Sequence, residues 1–427
     1  MNRRTVVFAP AHYFTGENVG GSEYSWVYEL VMALALEIAS GAVFTGELKN
    51  GKFPENVTLH EIWKARDVDF DRIFPRFEFL WNYWRAVFLV EPHPEILHHV
   101  LPFSSETFNP LVLLKGLPLG IGRKTKVVIG PIQTPHEIEF HEGDVSAILN
   151  RRARTGEIVE CGRTVESARG LASPILRILH DVARALSRRT LDRADAIVAI
   201  TPDAKTMLER RGVRAPIFVI PAGVRLASFP YHERVNTGRC LRLLSSCYLL
   251  KRKGVDLILM AVAQLVSRGV NVELVIVGDG PERRHLEDFA LQLDITAVVT
   301  FAGYIDHARL LPYYVAADVW VSMSWAESFG VSLLEAMSTG MPVVTAANLG
   351  AKAILREKQA GVLIELGDSL ALAHELERLG SSAALRAELG MSGRKLVEED
   401  FDWAVIAEKY ADVYEFVTTP KQREPRK

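Results

Sequence analysis

The chain has 427 residues, 48% of them hydrophobic and 24% charged, so we expect two domains with large buried cores. The formal net charge of −2 argues against general binding of nucleic acids, which needs a basic surface. The cysteines Cys161, Cys240 and Cys247 are odd in number, and their spacing predicts free thiols in a reducing compartment, without a zinc site. The first apolar run is too short for a signal peptide, and no run reaches about 18 apolar residues. These features predict a cytoplasmic protein.

The first half of the chain alternates apolar strands with helical segments. A strand is predicted over 5–11, followed by a glycine turn and a helix for which Ser22 is a candidate N-cap. Further strands are predicted in "KVVIGPIQTPHE", where a short strand ends in a Gly-Pro loop, and at "PIFVIPAGV". The stretch "RADAIVAITPDAKTMLERRGV" predicts a strand, a loop and a helix with Thr201 or Asp203 near its cap. This alternation predicts a parallel sheet covered on both faces.

Two stretches of the first half allow alternative interpretations. The aromatic stretch 77–90 is favoured as a buried helix because it lacks the lysine-rich face of an interfacial helix, and a membrane-touching surface is the alternative. The basic stretch 180–194 is favoured as a solvated helix face, with a phosphate contact as the alternative.

A proline-rich segment with little periodicity, 221–239, marks the best domain boundary. After it the strand and helix pattern restarts, which predicts two similar halves facing each other across a cleft. We therefore expect an N-terminal domain over 1–225 and a C-terminal domain over 226–403. Residues 404–427 are predicted to form a C-terminal helix, with packing on the N-terminal domain as an option, and a disordered tail.

The stretch "AESFGVSLLEAMSTGMPVV" places Glu327 and Glu335 eight positions apart. A helix is predicted up to Gly340, with Ser328 or Ser332 as its cap. Eight helical residues span about 12 Å, which is too long for a proton-sharing pair but suits the two ends of one elongated ligand. The helix N-terminus between them favours a phosphate, so the layout fits a nucleotide sugar. The alternative is two exposed glutamates on an ordinary helix.

The turn "GDGP" follows an apolar strand of the second half. Its glycines, Gly278 and Gly280, permit close approach of the backbone to a ligand, and open α/β sheets bind ligands at this end of their strands. The turn is therefore a candidate binding turn.

Taken together, these motifs resemble glycosyltransferase family 4, whose members are retaining enzymes with the GT-B fold. The resemblance rests on Glu327, Glu335 and the segments "GGSEYSWVYEL", "IPAGVRLASFP", "KGVDLILMA", "LVIVGDGP", "VTFAGYI" and "AADVWVSMSWAESFG". It is strongest over 195–365. It implies two Rossmann-like doubly wound domains that face each other across a central cleft. The N-terminal domain, 1–225, would bind the acceptor, and the C-terminal domain, 226–403, the nucleotide-sugar donor.

The resemblance also implies roles for individual residues. Glu335 would bind the ribose hydroxyls of the donor, Glu327 the donor sugar, and Lys253 the leaving diphosphate. His136 would lie near the sugar, so the predicted catalytic residues are His136, Lys253 and Glu327. The residues expected to bind the donor are Gly20, Gly21, Tyr248, Lys253, Gly278, Gly280, Tyr304, Glu327, Ser328, Phe329, Gly330, Val331 and Glu335.

The sequence departs from the family at two positions. Tyr248 stands where an arginine usually pairs with the diphosphate, and Ala222 stands where asparagine is usual. Lys251, Arg252 or the Tyr248 hydroxyl are the candidates to replace that arginine.

The expected reaction is transfer of a sugar, with retention and front-face attack, from a nucleotide diphosphate-sugar to a hydroxyl acceptor. UDP is the expected nucleotide, and no metal or other cofactor is expected because lysine and helix N–H groups would stabilise the diphosphate. The acceptor is left open among a glycan, a lipid-linked molecule and a natural product, with peripheral membrane contact as an option. The alternatives are a nucleotide-sugar epimerase, a phosphorylase, or a non-catalytic nucleotide-sugar binding protein.

Overall fold

The computed structural model describes residues 5–14, 22–35, 38, 40–48, 54–61, 94–100, 109–117, 121–133, 182, 185–234, 240–355 and 360–419. Among these, residues 5–133, 182–223 and 403–419 belong to one compact unit, and residues 224–402 form a second. Between these ranges the chain passes from the first unit to the second after residue 223 and returns to the first after residue 402. The predicted domain boundaries lie at 225 and 403.

The first unit contains a parallel sheet of seven strands in the order β3-β2-β1-β4-β5-β6-β7. Apolar runs that are buried on both faces form the central strands, as expected for a parallel sheet covered by helices. The strands are β1 Thr5–Phe14, β2 Ser40–Leu48, β3 Val57–Glu61, β4 Ile96–His99, β5 Lys126–Ile132, β6 Ala196–Ala199 and β7 Ile217–Val219.

Four helices of the first unit have defined bounds. They are α1 Ser22–Leu34, α2 Pro110–Leu113, α3 Pro202–Arg210 and α11 Trp403–Thr418. Thr201 caps α3 by accepting a bond from the Ala204 N–H at 3.2 Å, as one of the two predicted caps required. Helix α11 packs on α1 and β5, so the C-terminal helix is part of this unit.

The second unit contains a parallel sheet of six strands in the order β10-β9-β8-β11-β12-β13. Its order is the 3-2-1-4-5-6 arrangement of a Rossmann fold, in which the direction of winding reverses between β8 and β11. The strands are β8 Leu241–Ser246, β9 Val272–Val277, β10 Val299–Gly303, β11 Val319–Ser322, β12 Val343–Ala346 and β13 Val362–Ile364.

Helices and short turns connect these strands. The helices are α4 Val255–Ser267, α5 Arg283–Gln292, α6 Leu311–Ala316, α7 Val331–Ser338, α8 Leu349–Leu355, α9 Ser369–Ser381 and α10 Ala383–Asp400. Two 3-10 turns, Lys251–Lys253 and His307–Arg309, precede α4 and α6. Helices α4 and α9 cover one face of the sheet with buried leucines and valines.

The predicted pair of doubly wound parallel sheets is confirmed. One local prediction is wrong: neither Ser328 nor Ser332 occupies the N-cap position of α7, which Gly330 holds at φ 103°. A glycine tolerates this left-handed conformation at little cost, and it lets the loop turn directly into the helix. No helix within the described part of the chain combines the length and apolar character needed to span a bilayer.

Candidate active site

The second sheet has its topological switch point between β8 and β11. Ligands of open α/β folds bind in the crevice outside the carboxyl ends of the strands at such a point. The loop after β8 carries Lys253, and the loop after β11 carries Glu327. The topology alone therefore brings these two sequence-distant charges together.

The ammonium group of Lys253 donates a hydrogen bond to Glu327 Oε2 and forms an ion pair with it. Their side chains keep 15% and 23% of their surface exposed, so both remain within reach of a ligand. A cation and a carboxylate at one point can bind opposite ends of a polar bond: the cation an anionic leaving group, the carboxylate a hydroxyl.

The backbone of both loops is fixed by bonds between them. Arg252 O accepts from Trp325 N at 2.9 Å, while the Arg252 guanidinium donates to Ala326 O at 3.0 Å. Asn348 Nδ2 donates to Ser324 O at 2.9 Å. Arg252 thus anchors the Glu327 loop, which argues against its use as the replacement for the missing arginine.

The start of α8 closes the same loop from the other side. The Gly350 N–H donates to Glu327 O at 3.0 Å, and a Cβ at Gly350 would lie 2.5 Å from Phe329 O. The Phe329 ring is buried and lies against Phe401 with ring centroids 6.1 Å apart. Glu327 is therefore presented on a preorganised backbone.

The N-terminus of α7 opens beside this pair. The N-cap residue Gly330 has no side chain to cap the first turn, and the first N–H groups and the positive end of the helix dipole favour an anion there. A pocket lies at this point of the second unit. It is lined by Ser246, Cys247, Lys253, Trp320, Ser322, Ser324, Glu327, Phe329, Gly330, Ser332, Leu333, Thr345, Asn348 and Ala351.

Cys247 faces the pocket as a neutral group, because burial raises the pKa of its thiol to about 11. Cys240 and Cys247 are free, as predicted, and Cys161 lies outside the described residues.

Glu335, on the same helix, is almost fully buried, with 5% of its surface exposed. Its Oε1 accepts from His307 Nε2 at 2.7 Å and its Oε2 from the Tyr314 hydroxyl at 2.8 Å. The alternative of two exposed glutamates on an ordinary helix is therefore wrong for Glu335. Each oxygen of a carboxylate can accept two hydrogen bonds, so Glu335 can still accept from a further donor, such as a hydroxyl.

Two sequence models of glycosyltransferases match the chain. The family described as "Glycosyl transferases group 1" matches residues 241–396, and "Glycosyltransferase Family 4" matches residues 20–228. Together these matches cover most of the chain. The chain belongs to glycosyltransferase family 4.

Curated members that resemble the chain support this assignment. An uncharacterized glycosyltransferase of Methanocaldococcus jannaschii is 32% identical over 221 residues, 50% of this chain and 55% of the relative. A lipopolysaccharide core biosynthesis glycosyltransferase of Rhizobium meliloti is 32% identical over 161 residues, which cover 38% of this chain and 46% of the relative. The phosphatidyl-myo-inositol mannosyltransferase of Mycobacterium leprae is 33% identical over 169 residues, which cover 39% of this chain and 44% of the relative. The chain spans about half the length of the curated relatives it matches.

Solved structures place the chain in the GT-B fold. Sucrose-phosphate synthase from Thermosynechococcus elongatus has a TM-score of 0.66 at 20% identity, covering 97% of this chain and 98% of that one. WaaG, a glycosyltransferase involved in lipopolysaccharide biosynthesis, has a TM-score of 0.62 at 17% identity over 96% and 99%. Anabaena HepE in complex with UDP and glucose has a TM-score of 0.63 at 14% identity, covering 96% of this chain and 99% of that one. The predicted fold class is confirmed.

Four of the predicted donor residues, Lys253, Glu327, Phe329 and Gly330, line this pocket. Gly278 and Gly280 have a packing role of their own. A Cβ at Gly278 would lie 1.8 Å from Cys247 O, and one at Gly280 would lie 2.4 Å from Leu249 O. These glycines permit close packing of the turn against the loop after β8. Their expected approach to a ligand stays a prediction.

The two tyrosines of the predicted donor site are exposed: Tyr248 keeps 60% of its surface and Tyr304 keeps 66%. Tyr248 follows β8 and Tyr304 follows β10, so both lie at the carboxyl edge of the sheet where a base could stack. Gly20, Gly21 and His136 lie outside the described residues, as does the aromatic stretch 77–90.

Sequence reasoning missed the residues that hold Glu335. His307 and Tyr314 come from the segment between β10 and β11, and the Phe229 ring packs edge-on against both, with centroids 5.3 and 5.4 Å away. Their signal was faint: a histidine after a strand and a tyrosine in a short helix are ordinary core residues. Within the described residues, no three carboxylate, imidazole or thiol groups are arranged to hold a metal ion.

Proposed function

We propose that this protein is a glycosyltransferase that moves a sugar from a nucleotide diphosphate-sugar to a hydroxyl acceptor. One observation carries the proposal: the Lys253–Glu327 pair lies at the switch point of the second sheet, beside the N-terminus of α7, where Gly330 is the N-cap residue. The same helix carries the buried carboxylate of Glu335. An anion site with an acidic group on either side fits a donor that has a sugar, a diphosphate and a ribose in line.

The chemistry follows from the charges at this point. Breaking the anomeric C–O bond builds negative charge on the departing diphosphate. Lys253 and the first N–H groups of α7 would stabilise that charge as preorganised donors, with little rearrangement during the reaction. Glu327 would hold a hydroxyl of the donor sugar, and Glu335 would accept from the ribose.

Retention of the anomeric configuration and a reaction without a metal are the finer parts of the proposal. Both are consistent with a lysine at the leaving-group position, where it can supply the charge that a divalent cation supplies in other transferases. Proton NMR of the product reports its anomeric configuration. Turnover in the presence of EDTA tests the second part, since a metal-dependent enzyme would lose activity.

The donor base and the acceptor are proposed from the names of similar proteins. HepE was solved with UDP and with UDP-glucose, which favours UDP as the nucleotide. Relatives named for phosphatidyl-myo-inositol, diacylglycerol and lipopolysaccharide core favour a lipid-linked or envelope glycan acceptor. We propose the corresponding acceptor class here, with contact at a membrane surface as its consequence.

A thermal-shift panel of nucleotide sugars, followed by nucleotide release with candidate acceptors, tests the proposal. We expect stabilisation by a UDP-sugar and release of UDP only with an acceptor. A new nucleotide sugar formed without acceptor would favour the epimerase, and sugar 1-phosphate released with inorganic phosphate would favour a phosphorylase. Binding without turnover on any acceptor would favour a non-catalytic sensor.

Glu335→Ala tests the binding mode within that panel. We expect it to weaken UDP binding by about 1.5–3 kcal/mol, the value of a hydrogen bond to a charged group. Glu377→Ala is the matched control, because Glu377 forms an exposed pair with Arg268 elsewhere in the same unit. Unchanged UDP affinity in Glu335→Ala, measured by calorimetry, contradicts the ribose role.

A further inference from the structure

Glu335 is held by two donors that come from outside its own helix. His307 Nε2 lies 2.7 Å from Oε1, and the Tyr314 hydroxyl lies 2.8 Å from Oε2. Each carboxylate oxygen has two lone-pair positions, so one position on each oxygen stays available for another donor. Since a carboxylate only accepts, Nε2 of His307 carries a proton.

A chain of hydrogen bonds continues behind Tyr314. Trp320 Nε1 donates to Ser246 Oγ at 3.0 Å, and Ser246 Oγ lies 3.0 Å from the Tyr314 hydroxyl. The single proton of Tyr314 goes to Glu335, so Ser246 must donate its own proton to Tyr314. Every proton in this chain therefore points toward the carboxylate, an arrangement in which successive bonds polarise one another.

The chain keeps this direction because its central member stays protonated. Tyr314 is fully buried, and burial, together with the charge of Glu335, raises the pKa of Tyr314 well above its usual range. Phe229 packs on the rings of both Tyr314 and His307 and limits their movement. The turn that carries His307 is capped by Asp306, which accepts from the Ala308 N–H at 3.0 Å.

We propose that His307, Tyr314 and Ser246 are positioning residues that hold Glu335 as an acceptor for two neighbouring hydroxyls, and thereby select a ribonucleotide over a 2′-deoxyribonucleotide. The inference rests on the proposed function, since it assumes that Glu335 meets the ribose. These three residues do not contact the ribose themselves. They act on the selection of ribose only by fixing the carboxylate of Glu335, which contacts it. A deoxyribose offers one hydroxyl and leaves one carboxylate position without a ligand donor.

Calorimetry with UDP and 2′-deoxy-UDP measures this selection. We expect the wild type to prefer UDP. Tyr314→Phe, which keeps the buried ring, and His307→Ala should each weaken UDP binding about tenfold, because each removes a bond to a charged group. Binding of 2′-deoxy-UDP should change little, so that the preference for UDP shrinks. His307→Gln should restore part of the preference, since its amide can donate to Oε1.

Tyr414→Phe is the matched control, because it also removes one buried hydroxyl, which bonds to His98 in the first unit. It should leave both affinities unchanged. Equal weakening of UDP and 2′-deoxy-UDP in the site variants, or an unaltered preference, overturns the inference. Thermal unfolding identifies a variant that fails to fold, and Ser246→Ala then provides the same test.

The two proposals fail differently. A wild type that binds none of the nucleotides in the panel contradicts the proposed function and the inference with it. A wild type whose preference for UDP disappears in Glu335→Ala, but survives in Tyr314→Phe and His307→Ala, contradicts the inference alone. If the panel identifies another base, the ribo and deoxy forms of that nucleoside diphosphate replace UDP in the experiment.

Discussion

The two sheets reverse their winding at equivalent places, between β1 and β4 in one unit and between β8 and β11 in the other, yet their polar side chains there differ. In the first unit, His98 on β4 is fully buried, bonded to the Tyr414 hydroxyl at 2.7 Å and to Gly130 O at 3.1 Å. In the second unit, Lys253 and Glu327 pair at the edge of a pocket and stay partly exposed.

The comparison shows how one topology serves two purposes. The imidazole of His98 has both nitrogens bonded to protein and lies among the rings of Phe8, Tyr410 and Tyr414, so it fastens α11 to the sheet. The charges of the second unit keep solvent access on a backbone that is itself rigid. Polar groups satisfied by the protein stabilise a fold, whereas charged groups with exposed surface remain available to a ligand.

The largest expected effect is on Lys253. Lys253→Ala should lower turnover about 100- to 1000-fold, or about 3–4 kcal/mol, because it removes a preorganised charge from the departing diphosphate. Donor affinity should fall less than turnover. Stability should change by no more than about 1 kcal/mol, since the ion pair is partly exposed. Steady-state kinetics with the donor and acceptor identified by the panel measure the effect.

Lys205→Ala is the control for this change, because Lys205 forms an exposed pair with Glu209 in the first unit. It should alter neither turnover nor stability. Should Lys253→Ala keep its turnover while Lys251→Ala loses it, the cation of the site has been assigned to the wrong residue.

The second prediction tests how closely the turn after β9 packs against the loop after β8, beside the second switch point. Gly278→Ala should destabilise the protein by about 3 kcal/mol, because the added methyl group would meet Cys247 O at 1.8 Å in a backbone conformation of φ 132°. Gly269→Ala is the matched control: it has φ 75° and open space around it, so it carries only the backbone cost of about 1 kcal/mol. Urea unfolding of both variants measures the difference, and equal losses would show that the packing of the turn does not matter.

The alternation of apolar runs and glycine turns was enough to predict both sheets and the helix that carries Glu335. The alternation did not link Lys253 to Glu327; the resemblance to glycosyltransferase family 4 assigned both to one donor site, and the structure pairs their side chains at the edge where the loops after adjacent parallel strands meet. His307, Tyr314 and Phe229 could not be predicted, because their side chains gain a role only when three separate segments pack around one carboxylate.

Local chemistry misled the prediction of the cap of α7, and at the GDGP turn it did not reveal a packing role. Serines are good caps in isolation, but Gly330 begins α7 because the loop needs a left-handed residue where Glu327 is turned toward Lys253. Gly278 and Gly280 have the composition of a ligand-binding turn, and only the packed loops reveal that their neighbour is the protein's own backbone. The residue types of a segment indicate its local conformation, whereas tertiary contacts determine which atoms pack against it.

The smallest effect at neutral pH concerns the first switch point, whose contribution to stability changes only on acidification. Burial lowers the pKa of His98 and of His99 from 6.5 to about 3. Between these values the unfolded chain binds more protons than the folded one, so the free energy of unfolding should be highest above pH 6.5. Below that pH it should fall by up to about 1.4 kcal/mol per pH unit for each histidine.

His98→Gln isolates this term, because glutamine is neutral throughout and removes one of the two titrating groups. Urea unfolding between about pH 4 and pH 7 should show a shallower loss of stability in this variant than in the wild type. His374→Gln, at an exposed position of the second unit, should keep the wild-type slope. Equal slopes in all three proteins would mean that His98 becomes protonated without unfolding, and the first switch point would then be as open to solvent as the second.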